Sequence, residues 1–334
     1  MTRLPELRLI RSVVMFAGLA GILLVLWATL SNDFYLRIAI ISGLFVIIVV
    51  PLDLMIGYTG YLSFGQAAFY GAGAYIIGNL TTLRFGVNYW IAFLVAIVIL
   101  AMVAYVLTFP LFRLAGVHFA IGTLALGQLA YIAFQSWEWW TGGVFGTNGI
   151  FRPSIGGLTF DSNSRYFLLV SLFVSWLTVQ GPTGLALRAI RQDEVLAQAR
   201  GLNVVRYKRL VFVIAGVFAG IAGALFAPLQ IAIDPSSFTV THSMLFVAMA
   251  ILGGIGTLIG PALGATAYVC LDQLVQSFGK WNQVVMGGLL VIVVLFFRWG
   301  IWGAVDRIIR FGLRQLMNRV GVAGLTSARK QPAR

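Results

Sequence analysis

Long apolar runs alternate with short polar turns along this chain and stop once, for a strongly charged interval. The runs predict ten spans, at about 13–30, 36–56, 66–82, 89–112, 117–136, 166–180, 208–230, 243–258, 261–277 and 283–299. A bilayer-crossing helix needs about 20 apolar residues. Phe85 to Phe112, Val211 to Ile233 and most of Pro235 to Leu271 offer uncharged stretches of that kind. The runs are continuously apolar rather than alternating, which favours helices that satisfy their own backbone in lipid and disfavours a β-barrel. The expected fold is all-α: one polytopic transmembrane domain over residues 1–334, in two similar halves with interrupted Gly-rich helices.

The charged interval runs from Gly181 to Leu210 and holds Arg188, Arg191, Asp193, Glu194, Arg200, Arg206, Lys208 and Arg209. On a 3.6-residue wheel Leu185, Ala189 and Leu196 fall beside Ala186, Ile190 and Ala197, a face broken by Asp193 and Arg200. Gly201-Leu202-Asn203 supplies a helix stop. A solvated loop would explain the charge but not the helical period. Residues 181–210 are therefore expected to form a helical element that docks on a soluble partner driving the membrane part from outside this chain.

Charge placement orients the spans. Basic residues gather at Arg3, Arg8 and Arg11, in the 181–210 loop, and in the tail 302–334, which includes Arg307, Arg310, Arg314, Arg319, Arg329, Lys330 and Arg334. Such segments stay in the cytoplasm. With the N-terminus inside, six crossings return the chain to the cytosol at Gly181 and four more return it to the tail, so both termini are expected to be cytoplasmic. The outer loop 137–165 opens with Trp137-Glu138-Trp139-Trp140, an interfacial aromatic signature, and carries Asp161. Asp234-Pro235 begins a second outer turn. The tail from about Trp302 to Val320 reads as a surface helix, with Ile308, Phe311 and Leu316 facing lipid or a partner.

Composition agrees with a membrane assignment. Apolar residues make up 60% of the chain and charged residues 10%, against about 25% charged in soluble domains. The net charge of +13 lies in the three basic clusters, which argues for a membrane surface and against nucleic acid. Cys270 sits alone in an apolar run and is expected to be a small core residue without a disulfide or metal role. The Arg-rich start before Val13–Leu30 resembles a signal peptide. Its apolar core is long and lacks a convincing cleavage site, so a retained span is expected.

Two glycine-rich passages stand in corresponding places of the two halves: GYTGYLSFGQAAFYGAGAY, Gly57 to Tyr75, and GGIGTLIGPALGATAY, Gly253 to Tyr268. Paired glycines Gly57/Gly60 and Gly253/Gly256, followed by Gly65, Gly260 and Pro261, disfavour continuous helix. Interrupted segments at matching places point to a transporter's solute site. The stretches 57–66 and 253–261 are therefore expected to be functional breaks, whereas Gly71, Gly73 and Gly264 are expected to serve close helix packing.

Candidate chemistry is sparse. No G-x-x-x-x-G-K-[ST] signature occurs; Gly279-Lys280 is followed by Trp281. The two histidines, His118 and His242, lack carboxylate neighbours in sequence, so no catalytic residue, metal site or cofactor is assigned. Asp53 and Asp272 are the acidic residues at membrane depth. Asp53 could shape a pathway, cap the first break or reach water. Neutral polar groups remain for recognition: Tyr58, Thr59, Ser63, Gln66, Thr123, Gln128 and Thr257, with backbone freed at the breaks. Gly57, Tyr58, Gly60, Ser63, Gln66, Gly253, Gly256 and Thr257 are the expected pathway residues, a lining suited to a small zwitterionic solute.

Glu194, Ala197 and Gly201 match the E-x-x-A-x-x-x-G spacing of the cytoplasmic coupling loop in ABC-importer permeases. The surrounding GLALRAIRQDEVLAQARGLNVVRYK resembles the branched-chain amino-acid class. So do GYTGYLSFGQAAFYGAGAY, TGGVFGTNGI (Thr141 to Ile150) and GGIGTLIGPALGA. The similarity covers roughly 35–300 and is nearest to the M-type permease subunit. Many relatives carry His where this chain has Gln66, and often Asn where it has Asp53. The resemblance implies a non-enzymatic pathway subunit in a bacterial inner membrane, paired with a similar second permease as a heterodimer. Two cytosolic ATPase subunits would dock on Arg188, Arg191, Glu194, Ala197 and Gly201, and a periplasmic or tethered binding protein would deliver solute. Permeases of this architecture also carry urea or short amides. A secondary carrier or channel is a further alternative, though it would leave the 181–210 loop unexplained, and a membrane-embedded enzyme would need a constellation the sequence lacks.

Overall fold

The computed structural model describes residues 33–82, 85–150, 182–257 and 259–275, with a few positions between 279 and 303. The expected spans at 13–30, 166–180 and 283–299, and the tail 302–334, lie wholly or largely outside the described residues. The remaining apolar runs are helices: α1 (Asp33–Thr59), α2 (Gln66–Thr81), α3 (Tyr89–Leu111) and α4 (Val117–Ser136), then α7 (Val204–Gln230), α8 (Val240–Gly253) and α9 (Ile259–Val275). Two shorter helices, α5 (Pro182–Gln192) and α6 (Glu194–Ala199), occupy the charged interval. Among the described residues, α1, α3, α4 and α7 are long and apolar enough to cross a membrane.

Polar side chains set several helix starts. Asn88 accepts from the Trp90 amide (3.0 Å), Asp193 from that of Leu196 (2.9 Å) and Asn203 from that of Arg206 (3.1 Å), each satisfying a first-turn donor without an intrahelical partner. Asp193 thereby ends one helix and begins the next. Pro261 falls in the first turn of α9, where its missing N–H costs nothing.

α7 runs through the centre, packing along α2, α3 and α1, while α1 also packs against α8 and α9. Leu44, Ile47, Ile48 and Leu52 of α1 and Phe212, Ala215, Ala219 and Leu225 of α7 are fully enclosed. The closest approach is between α2 and α7. A Cβ built on Gly73 would lie 2.8 Å from Gly220 Cα, and one on Gly223 would lie 2.8 Å from the carbonyl carbon of Tyr70. Packing is thus what Gly73 serves, and Gly264 likewise abuts the Gly253 backbone, where a Cβ would come 2.6 Å from the Gly253 nitrogen.

Helix lengths differ in an informative way. α1 and α7 each have 27 residues, about 40 Å at 1.5 Å per residue. α2 has 16 and α8 has 14, about 24 and 21 Å. The helix that follows the first break and the one that precedes the second are thus much shorter than the long pair.

At one end a two-residue antiparallel ladder joins β1 (Thr147–Asn148) to β2 (Ala232–Ile233), pairing Thr147 with Ile233 and Asn148 with Ala232. Ile150 N–H extends it to the Ile231 carbonyl (3.1 Å). The turns after α4 and α7, expected to share one side, do so and are bonded together. Trp137 and Trp139 are exposed beside this ladder end, and α5 and α6 sit at the other.

Two expectations change. Gly57 and Tyr58 are helical, because α1 continues to Thr59 and the first break begins only at Gly60. Cys270 is exposed, because α9 turns it and Leu274 away from α1 and α8.

Candidate functional site

The charged interval folds on a core of its own. Ile190 of α5, Ala197 of α6 and Val204 of α7 are buried together, with Leu202 and Tyr207 against them. Gly201, at φ +83°, makes the left-handed turn that lets α6 stop and the chain enter α7. The outer surface is unusual for an element carrying this much charge. Leu185, Val195 and Leu196 are 69%, 76% and 51% exposed.

The polar side chains predicted to face a partner also make contacts within the chain. Glu194 pairs with Lys208, a buried amine on the first turns of α7, and accepts a hydrogen bond from Tyr61 Oη (3.3 Å). Lys208 Nζ donates to the same hydroxyl (2.7 Å) and lies 4.0 Å from the centroid of the Tyr61 ring. Tyr61 thus passes one hydrogen bond on to Glu194 while receiving one from Lys208, so this buried charge is fully paired. Arg188 stacks over Tyr58, its guanidinium carbon 5.5 Å from the ring centroid. Ala197 contributes packing rather than surface.

Arg191 connects this element to both glycine breaks. Its guanidinium donates to the Gly57 carbonyl at the C-terminal end of α1, where unpaired carbonyls and the helix dipole favour a cation. A Cβ on Gly256 would lie 3.0 Å from the same guanidinium. Asp53, buried one turn before Gly57, accepts the Gly256 N–H on both oxygens, at 2.9 and 3.1 Å. Of the three roles open to Asp53, the geometry therefore has it hold the second break, not the first. Gly256 adopts φ +79°, and the Gly57 Cα hydrogen faces it so closely that a Cβ would come 2.6 Å from Gly256 Cα. Thr257 Oγ1 closes the turn, donating to Gly254 O (2.8 Å) and accepting from Gly260 N–H (3.1 Å).

The remaining pathway candidates form a second neighbourhood. Ser63 and Gln66 are each 1% exposed, in the non-helical stretch from Gly60 to Gly65 and at the first turn of α2. Phe64 N–H is held by Thr123 Oγ1 of α4 (3.0 Å) and Ala67 N–H by Ser243 Oγ of α8 (2.8 Å). The buried Gln66 amide oxygen has no hydrogen-bond partner among the described residues. Gly253 closes α8 against Gly260, its Cβ position 2.9 Å from Pro261 N.

The structure thus gathers Gly57, Gly60 and Gly256 around Arg191, with Thr257 closing the adjoining turn, and sets the segment of Ser63 and Gln66 against α4 and α8. Tyr61, Lys208, Val195 and Ser243 were not singled out as site residues. Tyr61 directly follows Gly60 of a motif already marked, and Val195 stands beside Glu194 as an apolar residue in a charged run; those were the available signals.

The family model for the branched-chain amino acid transport system permease component matches residues 34–294. The chain is 30% identical to the Escherichia coli (strain K12) high-affinity branched-chain amino acid transport system permease protein LivM, over 82% of this chain and 71% of the relative. It is 28% identical to the autoinducer 2 import system permease protein LsrC of Enterobacter sp. (strain 638), over 55% of each. It is also 32% identical to the Salmonella typhimurium permease protein LivH, over 36% of this chain and 39% of that one. No solved structure matches.

Proposed function

The chain belongs to the branched-chain amino acid transport permease family, and from that premise we propose that it is the M-type permease subunit of an ABC importer, forming a membrane pathway for branched-chain or other neutral amino acids. ATP hydrolysis belongs to two separate cytosolic subunits. These dock on α5–α6, which places that end in the cytosol and the ladder end outside, facing a solute-binding protein. The observation that carries this reading is the exposure of Leu185, Val195 and Leu196 on an element that also carries Arg188, Arg191 and Arg200. An element so charged belongs in water rather than lipid, and three large apolar side chains exposed on it call for a protein groove.

A second permease subunit covers α4. That helix is more exposed than α3 yet less apolar, the reverse of what lipid would select. Its open face includes Gln128 beside Ala125 and Ile132, whereas α3 exposes Ile91, Leu94, Val98, Met102 and Val106. A buried glutamine at membrane depth is tolerable; one facing lipid is costly. The pathway runs between the two permeases and past Ser63 and Gln66, whose unpartnered amide oxygen can accept from a solute ammonium group.

The test is uptake into proteoliposomes holding both permeases, the ATPases and the binding protein. ATP-dependent accumulation of labelled leucine, outcompeted by isoleucine and valine but not by urea or acetamide, is expected. Competition by urea instead would transfer the reading to the amide importers. Uptake without ATPases would transfer it to secondary carriers.

A further inference from the structure

We infer that Asp53 and Arg191 form a latch that carries displacement of the α5–α6 element to both glycine breaks at once; this rests on the importer reading above. Three contacts define it. Arg191 donates from α5 to the Gly57 carbonyl that ends α1. Asp53, on α1, holds the Gly256 N–H of the α8–α9 turn through both oxygens. Gly57 and Gly256 meet backbone to backbone, with no room for a Cβ.

The arrangement is a joint with two settings. With α5 seated, Arg191 supplies positive charge to a carbonyl end and to a buried carboxylate, and the two breaks are clamped together. If α5 is drawn away, the Gly57 carbonyl loses its donor and Asp53 is left buried with neutral backbone donors alone. An uncompensated buried charge is costly, so water must reach it or the Gly256 bond must open. Either outcome loosens both breaks, including the non-helical stretch from Gly60 to Gly65 that holds Ser63. A packed apolar joint would deform gradually; this one loses a discrete charged contact when α5 moves, which suits a two-state element biased from outside. Asp53 and Arg191 are positioning residues here and need not touch solute.

Two measurements on the full chain test the latch. In the reconstituted complex, solute taken up and ATP hydrolysed are recorded together for Arg191→Gln, Asp53→Asn and the double variant. The latch predicts that uptake per ATP falls on the order of tenfold in each single variant, within the range typical of coupling between sites. The double variant should be no worse than either single, and Arg191→Lys should recover much of the loss. A merely structural or docking role would lower both quantities in proportion, leave the ratio at the wild-type value, or make the two substitutions multiply; any of these overturns the latch. The second measurement needs no partner. Ser63→Cys on a Cys270→Ala background is exposed to a membrane-impermeant thiol reagent in the isolated permease. The buried position should be protected with the latch intact and label several-fold faster with Asp53→Asn or Arg191→Gln. Unchanged labelling refutes the latch even where wild-type uptake is ATP-driven. Absence of ATP-driven uptake in the wild type, with faster labelling in the variants, refutes the importer reading and leaves the latch standing.

Discussion

Glycine lines two joints in this molecule, and the difference between them separates packing from mechanism. Between α2 and α7, Gly73, Gly220 and Gly223 bring two backbones together inside continuous helices, among Phe69, Tyr70, Ala74 and Leu100. Nothing charged takes part. Between the end of α1 and the α8–α9 turn, Gly57 and Gly256 make an equally close approach, but Asp53 and Arg191 surround it. The first joint has one good arrangement, since separating the helices only opens a void. The second is held by polar contacts that an outside force on α5 can remove.

Substitutions that enlarge a glycine strike the apolar joint hardest. Gly73→Leu is expected to leave no monodisperse protein after extraction, and Gly73→Ala to cost about 3 kcal/mol, the upper range for overpacking a tight core, read as a lowered midpoint in thermal unfolding. Gly57→Ala forces a Cβ to 2.6 Å from Gly256 Cα. It should cost about 2 kcal/mol and also lower uptake per ATP, which Gly73→Ala should leave alone among molecules that fold. Equal effects of the two on that ratio would erase the distinction between the joints.

Much of this was readable in advance because it is local. Seven apolar runs became helices near their expected ends. The placement of Gly57 was not readable: a glycine pair marks weak helix propensity, but packing against Gly256 keeps α1 helical to Thr59. Nor was the partner of Asp53, which lies 203 residues away, since no spacing rule connects an aspartate to an amide in another helix pair. The docking loop shows a subtler failure. One wheel drawn from Leu185 to Ala197 puts Leu196 near Ala197, yet Ala197 is buried and Leu196 is exposed. The wheel assumed one helix, whereas the Asp193 cap divides it into α5 and α6 and resets the phase.

Smaller changes sharpen the contrast further. Ser243→Ala removes the acceptor for Ala67 N–H at the start of α2; a cap of this kind is worth about 1 kcal/mol, and the same variant should alter labelling of Ser63→Cys without altering ATP hydrolysis. Gly201 has open space around its Cα but sits at φ +83°. Gly201→Ala should therefore cost only about 1 kcal/mol, the left-handed backbone penalty, visible as weaker ATPase retention on purification rather than as loss of fold. A large loss of fold there would mean that this glycine, too, is closely packed.

The claim that one end is driven and the other fed is tested most directly by photo-crosslinking in intact cells. A photoreactive residue is placed at Val195 on α6 in one variant, and at Phe145, 90% exposed beside the ladder, in another. The account predicts an adduct with an ATPase subunit from Val195 and with the solute-binding protein from Phe145. The reverse pairing, or ATPase adducts from Phe145 with none from Val195, would contradict it.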